Sequence, residues 1–316
     1  FTFLGNIHAK SQNMNQFNTS ILQNINITRI YNTTEQLSSY RTRLTGTFEC
    51  TLAANDIYSI LNNVYNVTDV FYENFSYNNT ICSNVVARIN GTTRKDELII
   101  ISAHYDSISM DQTAPGANDN AVAVALCMEI MGIIQNHFTL NRTLLFISFA
   151  GEEQAFIGSQ AWINQHKNEL ANVVAVINLD MIGYGTHLSI LKNDQSEWLA
   201  DAIIGASSPI DLTFTKSNSP YPESARFDHE TFWLARIPCV SLFEAGYIYP
   251  YYHTSEDTID KVLFSLVEKC SQVTLLSVLY LGTVNFHHNW IECSIIIWIF
   301  WGLGAILPFI IYRKIK

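Results

Sequence analysis

The residues of this 316-residue chain that could do chemistry sit in a few short segments: AHYDS (His104, Asp106), GANDNA (Asp119), GEE (Glu152, Glu153), NLD (Asp180) and YYHTSED (His253). Each carries carboxylates or an imidazole, and each follows an apolar run or stands just ahead of a helical one. Gathered in a low-dielectric interior, such groups would repel one another strongly. Divalent cations resolve that repulsion. A mixture of His and carboxylate donors suits zinc, with manganese or cobalt as alternatives. A lone Glu-Glu or His-x-Asp is an ordinary solvated loop, so only the combination carries meaning.

The elements that must position these groups are legible as runs. ELIIIS (97–102), RTLLFISFA (142–150), VVAVINLDMIG (173–183) and IPCVSLFE (237–244) are apolar and rich in β-branched residues, the pattern of strands buried on both faces. SNVVARING reads as a further strand. NDIYSILNNVY, NDNAVAVALCMEIMGIIQ (118–135), SQAWINQHKNEL and DKVLFSLVEKCSQVTLLSVLYLG read as helices. Buried strands alternating with helices predict an α/β fold, a three-layer sandwich with a mixed, mostly parallel central sheet flanked by helices. Ligands in such folds bind beyond the carboxyl ends of the strands, where the acidic and imidazole residues fall.

The set AHYDS, GANDNA, FAGEEQAFIGS, NLDMIG and YYHTSED, in that order, resembles the co-catalytic di-zinc aminopeptidases of metallopeptidase clan MH. These are zinc exopeptidases related to bacterial leucyl aminopeptidases, glutamate carboxypeptidase and glutaminyl cyclase. The likeness runs from about residue 40 to 285. By position it implies two Zn2+ ions, one on His104 and Asp180, the other on Glu153 and His253, bridged by Asp119. It implies that Asp106 orients the His104 imidazole, that Glu152 is the general base and that Tyr252 stabilises an oxyanion. The stretch ESARFDHETF is similar to a family segment usually written Arg-Ser-Asp-His. Arg226 is kept there as a substrate-binding residue, whereas Phe227 stands in place of the serine and unsettles the local substrate contacts.

The activity this resemblance implies is a zinc-dependent aminopeptidase that hydrolyses N-terminal residues from peptides through a di-metal-activated water. A carboxylate-rich rim would also attract the cationic α-amine of such a substrate. A glutamate-carboxypeptidase-like enzyme is one alternative, against which the scarcity of arginines counts. A glutaminyl-cyclase-like enzyme with one zinc is another. A non-catalytic surface glycoprotein on the same fold is the third, although such relatives lose ligands and this chain keeps them.

With Lys+Arg 18 against Asp+Glu 28, the chain carries a net charge of −10, which opposes nucleic-acid binding by bulk electrostatics. An apolar content of 48% with 15% charged residues excludes a disordered tail or a coiled coil. Six cysteines are too sparse for a disulfide scaffold, though a bridge between Cys50 and Cys82 is one pairing open to them. Residues 294–312, SIIIWIFWGLGAILPFIIY, are uncharged and long enough to span a lipid bilayer as a helix. The RKIK tail (313–316) is expected on the cytoplasmic side, which puts the rest outside the cell or in a lumen. Sequons at Asn18, Asn26, Asn32, Asn66, Asn74, Asn78, Asn90 and Asn141 agree with that side. The start at Phe1 reads as a processed N-terminus. The expected organisation is an Asn/Thr-rich extension (1–45), a zinc peptidase domain (46–285), a juxtamembrane segment (286–293), a transmembrane helix (294–312) and the basic tail. The expected product is a single-pass surface or lumenal protein acting on peptides, of unknown oligomeric state.

Overall fold

Four apolar runs form the parallel heart of one sheet. In chain order the strands are β1 (Asp69–Tyr77), β2 (Thr80–Ile89), β3 (Arg94–His104), β4 (Arg142–Phe149), β5 (Val173–Leu179), β6 (His187–Lys192), β7 (Phe214–Asn218) and β8 (Cys239–Ala245). Their order across the sheet is β1-β2-β4-β3-β5-β8-β6-β7. β4, β3, β5 and β8 run parallel, whereas β2 is antiparallel to β4 and β6 to β8, so the sheet is mixed. This computed structural model describes residues 19–218 and 227–284. Asn18, Arg226, the juxtamembrane segment, the membrane segment 294–312 and the basic tail lie outside the described residues.

The helices are α1 (Ile27–Ser38), α2 (Phe48–Asn63), α3 (Val122–His137), α4 (Ile157–Gln165), α5 (Glu197–Ala206), α6 (His229–Leu234) and α7 (Phe264–Thr283). α3 is buried from Val122 to Ile134 on every side, which explains its apolar character all round. By length and composition, Ala117–His137 and Phe264–Thr283 could each cross a membrane, and both are largely packed inside the fold. α1 docks through Glu129 of α3, whose buried carboxylate accepts the Asn26 amide at 2.9 Å, the Arg29 guanidinium at 2.9 and 2.6 Å and the Tyr65 hydroxyl at 3.0 Å. Cys50 and Cys82 are free thiols lining one cavity of about 160 Å³ beside Tyr105, so the bridge open to them on sequence is not formed.

The central strands owe their place to burial. Ile99, Ile100, Ile101, Leu144, Phe146, Ile147, Val176 and Ile177 are inaccessible to solvent, and each such side chain contributes about 1.5–3 kcal/mol by leaving water. Near the carboxyl ends one polar row crosses the apolar layer. Ser102 donates to Asn178 at 2.9 Å, and Asn178 donates to Ser241 at 3.2 Å, so three buried polar groups on β3, β5 and β8 satisfy one another. The side chains that could do chemistry begin directly beyond this row.

Candidate metal centre

Because β3, β4, β5 and β8 are parallel, the residues that follow them emerge on one rim. His104 ends β3, Glu152 and Glu153 follow β4, Asp180 follows β5, and His253 lies on the loop after β8. Asp119 comes from the turn that opens α3, and the peptide bond after it is cis. Its two oxygens face different partners. Oδ1 lies 3.2 Å from His104 Nε2, which is itself 3.4 Å from Asp180 Oδ1. Oδ2 lies 3.3 Å from His253 Nε2, which is 3.0 Å from Glu153 Oε2. The geometry therefore contains two donor clusters, His104–Asp119–Asp180 and Asp119–Glu153–His253, that share one carboxylate.

The triplet Asn118-Asp119-Asn120 is held from every side. Asp257 accepts the amide of Asn118 at 2.9 Å and that of Asp119 at 3.0 Å, and takes the Tyr249 hydroxyl at 2.6 Å. Asn118 donates to both oxygens of Glu244, at 3.0 and 2.9 Å, and accepts the Gly183 amide at 2.8 Å. Asn120 donates to the Leu179 carbonyl at 2.9 Å and accepts the Met181 amide at 3.2 Å, bracketing Asp180 between its two bonds. Sequence reasoning passed over Asn118, Asn120, Glu244 and Asp257. Asn118 and Asn120 lie inside GANDNA, Asp257 closes YYHTSED and Glu244 closes IPCVSLFE, but residue type alone marks none of them as a support.

Asp106 is fully buried and serves three neighbours. Its carboxylate accepts the amides of Glu152 and Glu153, each at 3.2 Å, and lies 3.5 Å from His104 Nδ1. The turn that carries the glutamates is set by close packing. A Cβ on Gly158 would stand 2.0 Å from the Ala150 carbonyl oxygen and 2.6 Å from Asn84 Oδ1, so only glycine fits. Asn84 accepts the Ala150 amide at 3.2 Å and donates to Gly158 at 3.0 Å, closing the same turn.

Electrostatics follow from crowding. Burial pushes Glu152 well above the usual carboxylate range; His104 opposes this, and Asp180, Asp228 and Glu153 add to it. Burial and the nearby Asp119 raise Glu153 to about 8. Burial disfavours the His104 cation, yet Asp180, Asp106 and Asp119 hold its pKa well above the ordinary imidazole value. His253, opposed by burial but close to the carboxylates of Asp119 and Glu153, rises to about 10. Asp119 is held below the usual range because its two imidazole partners outweigh burial. Acids and imidazoles crowded together in this way form a donor set whose mutual repulsion a divalent ion would relieve.

Within the two donor clusters, Asp119 Oδ2, Glu153 Oε1, Asp180 Oδ2 and His253 Nε2 are buried without a hydrogen bond. Buried polar atoms are almost always bonded, and this group points to an absent partner that accepts O and N donors. The donor set fits zinc. Tyr252 is half exposed and stacks on His253 with centroids 3.7 Å apart. Phe227 sits against His229 and Phe243, so the position where the family segment carries serine is occupied by an aromatic contact.

Comparison with known proteins adds an independent line. A family model described as peptidase family M28 matches residues 84–278, well over half of the chain. A probable leucine aminopeptidase of Arthroderma otae is 30% identical over 189 residues, covering 54% of this chain and 50% of that protein. Endoplasmic reticulum metallopeptidase 1 of Mus musculus is 26% identical over 246 residues, covering 73% of this chain and 26% of that one. The LapA aminopeptidase of Legionella pneumophila superposes with a TM-score of 0.73 at 22% identity, covering 85% of this chain and 74% of LapA, and shares its fold. The chain spans between about a fifth and a half of the length of the curated relatives it matches first.

Proposed function

This chain belongs to peptidase family M28, and from that premise we propose that it is a zinc-dependent aminopeptidase that removes N-terminal residues from peptides. The observation that carries the reading is the shared carboxylate: Asp119 offers one oxygen to the His104 and Asp180 cluster and the other to the Glu153 and His253 cluster. Those five residues would hold a pair of ions. Such ions supply Lewis acidity toward a carbonyl oxygen and lower the pKa of water.

Each remaining role belongs to the chain itself. Glu152 is buried, its backbone is fixed by Asp106, and its carboxyl keeps company with the donor set. It takes a proton from the attacking water and delivers it to the leaving amine. Asp106 fixes the His104 ring and the amides of both glutamates. Tyr252, stacked on His253, presents a hydroxyl for the oxyanion, and Arg226 is assigned to substrate binding. The excess of carboxylates at the rim favours a substrate that arrives with a free ammonium group.

The membrane anchor over 294–312, its orientation and the outward or lumenal placement of the catalytic unit form part of the same proposal. They are supported by the uncharged run and its basic tail. The exposed positions of the sequons Asn32, Asn66, Asn74, Asn78 and Asn90 fit them, as does the name of the mouse relative. The deciding experiment measures amino-acid release from short peptides with free and with acetylated N-termini. Release from the free peptides alone is expected, and cleavage indifferent to acetylation excludes an aminopeptidase. Fractionation of cells expressing the full chain, with protease protection of the catalytic unit, tests the anchor and its side.

A further inference from the structure

Arg43 lies in the connection between α1 and α2, ahead of the residues matched by the family model and apart from every ligand motif. Its side chain is inaccessible to solvent. Buried arginines are ordinarily paired with an acid, but Arg43 forms no ion pair among the described residues. Its guanidinium instead donates to four backbone carbonyls. Nε reaches Tyr105 at 2.6 Å, Nη1 reaches Leu37 at 2.8 Å and Pro115 at 2.5 Å, and Nη2 reaches Gly116 at 2.9 Å. Its own amide donates to Ser107 Oγ at 3.0 Å, and that hydroxyl donates to the Ala114 carbonyl at 2.7 Å.

The choice of carbonyls is informative. Tyr105 stands between His104 and Asp106 at the end of β3. Pro115 and Gly116 lead straight into Asp119. One rigid, planar cation therefore spans the strand end that carries the first imidazole and the segment that delivers the shared carboxylate. Gly116 has φ of 55°, and a Cβ there would stand 2.8 Å from Arg43 Nη2 and 2.4 Å from the Asp119 carbonyl oxygen, so no other residue can share this space. Asp257 grips the same segment through other atoms: its carbonyl accepts the Ala117 amide at 3.1 Å, and its carboxylate takes the amides of Asn118 and Asp119. Residues 115–119 are thus held through carbonyls by a cation and through amides by an anion. Lysine could supply the charge but not the fork.

We infer that Arg43 is a positioning residue for the metal centre, fixing the separation between His104 and Asp119 through the carbonyls of Tyr105, Pro115 and Gly116. This rests on the metal-centre reading of the site. The test uses the full chain, stripped with chelator and titrated with Co2+ while the visible d–d bands and a competing indicator report binding. Wild type is expected to take up two ions. Arg43→Lys, which keeps the charge and loses the fork, should bind the ion at His104 about 10–100-fold more weakly and with altered band positions, the scale typical of groups that orient metal ligands. Arg29→Lys breaks a comparable hydrogen-bonded network at Glu129 and should leave both affinities and the spectrum unchanged. Wild-type affinities and bands in Arg43→Lys overturn the inference while leaving the metal centre standing. Failure of wild type to bind Co2+ overturns the metal centre, and the inference with it. If Arg43→Lys does not fold, Ser107→Ala decides: weaker binding supports the role, and unchanged binding removes it.

Discussion

Replacing Asp106 by asparagine preserves shape and removes one charge at the residue that links the His104 ring to the Glu152–Glu153 turn. In the native protein one carboxylate oxygen accepts the Glu152 amide and the other the Glu153 amide, both at 3.2 Å. In Asp106→Asn one oxygen remains and an NH2 group faces the second amide, donor against donor. Losing one charge-assisted bond in a buried setting costs about 1.5–3 kcal/mol. The His104 ring is not set free, because Nδ1 still lies 3.1 Å from the Asp106 carbonyl oxygen. The expected loss in metal affinity is therefore about 10–100-fold and not abolition. Activity measured against buffered free zinc should show both effects, a curve displaced to higher zinc by that factor and a lower plateau, since Glu152 loses its backbone anchor. Thermal melting of the metal-free protein reports the stability term separately. A zinc curve that coincides with wild type refutes the argument that this carboxylate organises the site.

Glu152→Gln should reduce peptide hydrolysis by about 10²–10⁴-fold with zinc content unchanged, whereas Glu153→Gln should lose zinc; full activity in Glu152→Gln removes the general-base role. His166 lies 3.0 Å from Glu73 and 3.7 Å from Glu169, and its hydrogen bond to Glu73 raises its pKa above the unfolded value. A raised imidazole pKa stabilises most below the unfolded value of about 6.5 and loses that contribution as pH rises through the folded one. A double-mutant cycle between His166 and Glu73 should therefore give a coupling of about 0.5–1 kcal/mol at acidic pH that fades at alkaline pH, and a coupling that grows with pH contradicts the assignment. Peptide mapping of the protein made in a secretory pathway should find sugar at Asn78, exposed in the β1–β2 turn, and none at Asn141, whose amide donates to the Thr283 carbonyl at 2.9 Å. Sugar at Asn141 would show that this bond is dispensable.

What could be read from the sequence follows from physics that acts locally. β3, β4, β5 and β8 are buried on both faces, so ELIIIS, RTLLFISFA, VVAVINL and IPCVSLFE announce themselves as unbroken apolar runs, and the site residues stand directly after them. β1 and β7 lie at the sheet edges with mixed burial, and DVFYENFSY or FTKSN has too little apolar contrast to mark a strand. Short α6 (HETFWL) offers less than two turns of periodicity. Asn118, Asn120, Asp257 and Arg43 escaped notice for a different reason. Their partners are largely backbone groups 59 to 139 residues away, as are three of the four carbonyls that Arg43 reaches, and a carbonyl or an amide leaves no trace in residue identity. In sequence they are a polar turn, an acid after a histidine and a stray arginine.

The turn bearing Asp119 is pinned by Arg43, from the connection between α1 and α2, and by Asp257, from the loop after β8. A polypeptide leaving the ribosome cannot complete this cradle until position 257 has been made and has folded back against position 118. The support of the shared carboxylate therefore depends on a contact between segments 138 and 139 residues apart.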